Sequence, residues 1–199
     1  MIRRHAPWLL ALLPLTALAG HGLLNSFNDL QWLPAPGRTP DQWHYWLDGW
    51  REEGALGWAD SDSARLRLCL DFMREKLAEA QTMVGKSDSQ AAAIAITNYR
   101  AYLDRAQSLV AGPSTPSANA ARLGLARALL EHQYMLSVDY VDLPRAPRAL
   151  LAELIDELGL RYSALRKQLA PAAVQALFFQ EEEVRWSWEM GRRAAATTP

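Results

Sequence analysis

From residue 39 to about residue 192, apolar side chains recur at helical spacing with few interruptions. Trp43, Trp46, Leu47 and Trp50 fall at i, i+3, i+4 and i+7 and so share one face of a first helix. Thr39 and Gln42 have the spacing of a capping box, and Pro40 occupies the first helical position, where its missing N–H is harmless. That helix is predicted from residue 39 to about Gly54. Asp60 or Ser61 caps a second helix running to about Gly85. Ser87 with Gln90 reads as another capping box, opening a third helix that stops at Gly112-Pro113. Residues 112–118, "GPSTPSA", read as a linker. A fourth helix is predicted from about Pro116 to Val141, ended by Pro144. A fifth starts at Pro147, weakened by Gly159, and a sixth starts at Pro171. "LRLCL" alternates as a strand would, but it lies among good helix formers and is assigned to helix two.

These elements predict an all-α fold, an antiparallel helical bundle of two long helical hairpins. The Trp-rich N-terminal helix and the C-terminal helix would close its ends or seams. The bundle domain covers residues 39–192. Residues 20–38, with Pro34, Pro36 and Gly37, form an extended lead-in, and residues 193–199 a frayed tail.

At 199 residues the chain is long enough for one well-buried core, and a 50% hydrophobic, 22% charged composition is globular. Net charge is −1 and the only lysines are Lys76, Lys86 and Lys167, so the basic stripe that nucleic acid requires is missing. The N-terminus changes the picture more. Arg3 and Arg4 precede a short apolar run from Trp8 to Ala19, closing on Ala17-Leu18-Ala19. This is the pattern of a secretory signal over residues 1–19, cleaved before Gly20, and it places the protein in the periplasm. Retained, the same segment would be a membrane anchor, although Pro14 interrupts it and a span needs about 20 residues. Cys69 is the only cysteine, so it forms no internal disulfide, and its apolar neighbours assign it to the core.

The candidate chemistry is sparse. The face of Trp43, Trp46 and Trp50 reads first as packing, with a partner interface, a sugar-stacking box or membrane-interface seating as alternatives. Sugar sites keep aromatics exposed beside carboxylates and amides, and Asp48, Glu52 and Glu53 lie on other faces of the helix. Asp71, Glu75 and Glu79 form an acidic line at i, i+4, i+8, a solvated or salt-bridged face. His132 and Met135, at i, i+3, together with His44 are weak candidates for a soft-metal site. Glu181, Glu182 and Glu183 flank a face shared by Leu177, Val184 and Trp188. No nucleophile elbow, phosphate loop, His-Glu-x-x-His or Cys pair occurs, so no catalytic residue and no cofactor is assigned.

One resemblance runs from residue 33 to about residue 110. Pro36-Gly37, Tyr45, Trp50 and Glu52, then Arg65, Leu66, Lys76, Leu77, Glu79 and Ala80, resemble the motifs of the exported helical proteins grouped as DUF5667, with Lys76 where that group commonly has Arg. The resemblance implies an all-helical, envelope-associated domain and carries over no catalytic residues. The expectation is a non-catalytic interaction or scaffold protein of the cell envelope with a protein partner. Trp43, Trp46, Trp50, Trp186 and Trp188 are its candidate docking residues. The alternatives are a membrane-anchored accessory subunit held by the N-terminal segment, or a periplasmic metal-binding protein.

Overall fold

The computed structural model describes residues 27, 30, 32–143 and 145–197; the expected signal over residues 1–19 and the helix-ending Pro144 lie outside the described residues. Among the described residues there are six helices: α1 Trp46–Trp58, α2 Asp62–Gly85, α3 Ser89–Val110, α4 Pro116–Asp139, α5 Arg145–Arg166 and α6 Pro171–Thr197. A single 3-10 turn, Tyr140–Asp142, follows α4. The described residues contain no strand, and none of the described helices is long and apolar enough to cross a membrane. The fold is an all-α bundle.

Local capping explains most helix starts. Ser61 Oγ accepts from the Ala64 amide and Thr115 Oγ1 from the Ala118 amide, with Pro116 at the head of α4. At α3 the cap is Asp88, which accepts from Ala91 N at 2.9 Å, and not Ser87. Ser87 has φ 60°, and the Asp88 amide bonds back to the Met83 carbonyl. Ser87 therefore closes α2 in the left-handed position usually given to glycine, which leaves the next residue to cap α3. The loop after α3 is held by the buried Arg122 guanidinium, which donates to the Val110 carbonyl (3.0 Å), Ser114 Oγ and the Gly112 carbonyl. A cation there also suits the negative end of α3.

The partners fix the directions of the helices. Tyr99 meets His132 and Val110 meets Arg122, so α3 and α4 run oppositely. Arg100 meets Glu157 and Gln107 meets Arg161, so α3 and α5 run the same way. α5 and α6 are antiparallel through the pairs Asp156–Trp188 and Tyr162–Glu181. α2 and α3 form the most intimate hairpin. Met73, Leu77, Ala80, Met83 and Val84 pack against Ala91, Ala92, Ala95, Ile96, Tyr99 and Leu103, all buried. The small alanine side chains of α3 let the two backbones approach closely. Cys69 is buried in this core.

Several boundaries differ from the sequence expectation: α1 runs on to Trp58 rather than stopping near Gly54, and α5 starts at Arg145, two residues before Pro147. α1 starts at Trp46 rather than residue 39, because residues 39–48 are first closed by i→i+3 bonds such as Gln42 N to Thr39 O and Asp48 N to Tyr45 O. The expected frayed tail is helical as far as Thr197, carried by helix formers and an Arg193–Glu189 pair at i, i+4.

Candidate functional site

α1 lies across the α2–α3 hairpin, antiparallel to α2 (Tyr45 to Glu79, Arg51 to Glu75) and parallel to α3 (Tyr45 to Asn98, Glu53 to Arg105). It seats its acidic face. Asp48 and Glu52 are the buried residues of α1, while Trp43 is 87%, Trp46 56% and Trp50 76% exposed. The packing expected for those tryptophans is thus overturned. Tyr45, Asp48 and Glu52 share one side of the helix and Trp43, Trp46 and Trp50 the other. The inner side is the one for which α2 supplies a cation.

That cation is Lys76, buried in the middle of α2. Its ammonium stands 2.8 Å from Glu52 Oε1 and donates to Glu79 Oε1 at 2.9 Å. Glu79 also accepts from the Tyr45 hydroxyl (2.7 Å), which in turn accepts from Asn98 Nδ2 (2.9 Å). Glu52 Oε2 accepts from the Tyr102 hydroxyl at 2.5 Å, whereas Oε1 has the ion pair but no aligned hydrogen bond. Arg38 pairs with Asp48 at 3.2 Å, and Arg51 bridges to Glu75 at 3.1 Å. A buried carboxylate is costly alone, and here each has a cation or a hydroxyl donor.

Burial works against the Lys76 charge, but the hydrogen bonds and charges of Glu52 and Glu79 outweigh it and hold its affinity for the proton above the lysine range. Burial lifts Glu79 above the usual carboxylate range against the pull of Lys76. Burial also raises Tyr45 and Tyr102, reinforced by the carboxylates they bond. The Lys76 ammonium, held between Glu52 and Glu79, makes this group a locked ion-pair clasp.

Above the clasp is an open cleft of about 480 Å³, lined on α1 by Trp46, Gly49, Trp50 and Glu53 and on α3 by Asn98, Ala101, Tyr102 and Arg105. Tyr45, Glu52 and Lys76 complete the lining. Trp46 and Trp50 stand edge to face, with ring centroids 6.1 Å apart.

The acidic line of α2 divides. Asp71 is exposed and Glu75 is bridged by Arg51 of α1. Glu79 is fully buried, so its surroundings are not those of a solvated face. Trp186 is largely exposed on α6, while Trp188 packs against the core beside Tyr140 and donates its indole N–H to Asp156 at 2.9 Å. The two tryptophan groups are seated on different helices and are not brought together.

His132 and Met135 are buried in α4. His132 Nδ1 shares a 2.9 Å hydrogen bond with Tyr99, and burial lowers its pKa to about 3, so it is neutral. His44 stacks edge-on against Trp43. Among the described residues no group of three or more His, Cys, Asp or Glu is placed to hold a metal ion.

Sequence reasoning missed Lys76. The signal was available: Lys76 lies on the stripe of Cys69, Met73, Leu77 and Ala80, where a lone charge is out of place, and Tyr45, Asp48 and Glu52 form a complementary stripe on α1.

No curated protein and no solved structure matches the chain. A family model described as a domain of unknown function, DUF5667, matches residues 37–138, a stretch that contains α1, α2, α3, the clasp and nearly all of α4. By that match over half its length, this chain belongs to the DUF5667 family.

Proposed function

We propose that this protein is a non-catalytic interaction module exported to the cell envelope, and that it docks through the tryptophan face of α1. The observation that carries this reading is the outward display of Trp46 and Trp50 on α1, and of Trp43 in the turn before it, while the opposite face of the helix is clamped by buried ion pairs. Exposed aromatic surface of this kind marks binding surfaces, and tryptophan dominates binding hot spots. A rigid base suits docking, because side chains already held in place lose less freedom on association. Export rests on the basic and apolar pattern of residues 1–19. The lining charges are mutually neutralised and Lys76 is saturated, which favours binding over proton transfer.

The test is crosslinking in the protein's own cells, with a C-terminal tag and mass-spectrometric readout. The wild type should yield a stoichiometric envelope component that is lost from the triple variant Trp43→Ala, Trp46→Ala, Trp50→Ala. Recovery of the wild-type chain alone, or an association indifferent to the triple variant, overturns the reading.

A further inference from the structure

We propose that the cleft between α1 and α3 is a binding site for a neutral carbohydrate, with Trp46 and Trp50 stacking on the sugar rings. This rests on the reading of α1 as the docking face and names the class of molecule docked.

The cleft has the form such a ligand needs. Trp46, Gly49, Trp50 and Glu53 follow i, i+3, i+4, i+7 on α1, and Asn98, Ala101, Tyr102 and Arg105 follow the same spacing on α3. Two parallel helices thus present facing stripes, and the α1 stripe is ~10 Å long at 1.5 Å per residue. The volume of about 480 Å³ lies within the range of about 300–1,000 Å³ usual for ligand clefts. The smallest side chains stand at the middle of each stripe. A Cβ added at Gly49 would meet nothing within 4 Å, so the cleft is held open by absence of bulk.

Charge selects the ligand. The lining holds two acids and two bases: Glu53 pairs with Arg105 at 2.6 Å, and Lys76 meets Glu52 at 2.8 Å while also holding Glu79 behind the cleft. A balanced lining offers no net field to an anion or a cation. An apolar partner would strip water from the Glu53–Arg105 pair and return no hydrogen bonds. A neutral sugar meets both conditions. Its C–H faces cover the indole rings, and its hydroxyls, donors and acceptors at once, bond the Glu53 carboxylate, the Arg105 guanidinium and the Asn98 amide. The same features that argued against sugar in the sequence are reversed by the fold. The aromatics are exposed, and two carboxylates and an amide lie beside them.

The experiment titrates the protein with three neutral hexasaccharides, cellohexaose, maltohexaose and hexa-N-acetylchitohexaose, followed by calorimetry and tryptophan fluorescence. A polygalacturonate oligomer of the same length is the anionic comparison. The expected result is saturable binding of at least one neutral sugar in preference to the anion. Trp50→Ala should weaken it by about tenfold or more, as loss of a central aromatic contact does. Gly49→Phe should abolish it while the fold is retained, and Trp58→Ala should change nothing, since Trp58 is 91% exposed and outside the cleft lining. The inference is overturned if none of the three sugars binds, or if binding is the same in Trp50→Ala and Gly49→Phe. Loss of a crosslinked envelope component in the triple tryptophan variant, with no sugar bound, would refute the carbohydrate and leave the docking face standing. Association indifferent to those tryptophans would instead sink the docking face itself.

Discussion

Replacing Lys76 by methionine tests the clasp most directly. The side chains are similar in length, so packing is nearly kept and the change is one of charge. In the wild type the Lys76 ammonium is shared by Glu52 (2.8 Å) and Glu79 (2.9 Å), all three buried. Lys76→Met leaves two buried carboxylates with only the Tyr102 and Tyr45 hydroxyls and the more distant Arg51, 3.9 Å from Glu52. Removing one partner of a buried ion pair costs about 3–5 kcal/mol, a large part of the ~5–15 kcal/mol that stabilises a domain. For a chain of this size that corresponds to a melting point lower by about 6–20 °C.

The loss should depend on pH in a defined direction. Burial already holds Glu79 above its ordinary 4.5. A carboxyl raised in the folded state contributes stability that is full below its unfolded value and lost as pH rises through the folded one. Without Lys76 that folded value climbs further, so the variant suffers above 4.5 and recovers in acid. Lys76 itself is raised, so its contribution is full below 10.5 and lost as pH rises beyond that, which narrows the gap again in strong alkali. Urea unfolding of wild type and variant from pH 5 to pH 8 is the assay, with Lys76→Met, Glu52→Gln, Glu79→Gln as the neutralised comparison. The triple variant should regain much of the loss, because the uncompensated charges are gone. A Lys76→Met deficit below about 1 kcal/mol, or one that is flat across this pH range, would refute the clasp as the element that seats α1.

Other outcomes follow from single contacts. Tyr102→Phe deletes the 2.5 Å hydrogen bond to a buried carboxylate and should cost about 1.5–3 kcal/mol in urea unfolding. The lowered pKa of His132, about 3 against an ordinary 6.5, means stability is full above 6.5 and lost as pH falls through 3. Its ring proton signals should therefore not titrate between pH 7 and pH 5, and His132→Gln should flatten the acid limb of the stability curve. Ser87→Gly should stabilise by about 0.5–1 kcal/mol, the relief of a left-handed serine less the entropy of glycine, read from thermal melts. Trp58→Ala should stay within about 0.5 kcal/mol of wild type, since the indole is almost wholly solvated.

The helices were legible in the sequence because their signals are local. Ser61 accepts from an amide three residues on, and Pro116 and Pro171 set the backbone at the head of their own helices, so no distant part of the chain is needed to read them. The cap at α3 was misread by one residue for a reason still local but conformational: Ser87 takes the left-handed turn, and its side chain is no longer placed to cap. A chain terminus favours fraying, yet Ala and Arg propagate a helix to Thr197 once α6 is nucleated. What the sequence by itself determined is therefore the number of helices, their approximate ends and the all-α class. Only the tertiary structure decided which face of α1 turns inward. A periodic face of tryptophans favours burial when the helix is considered alone, and Asp48 and Glu52 favour water. Lys76, Tyr102 and Arg38 reverse both preferences by meeting those carboxylates across the α1–α2–α3 junction. Burial of charge is a property of a pair and not of a residue, so the orientation of α1, and with it the exposed tryptophans and their cleft, appears only when both halves of the pair are in place.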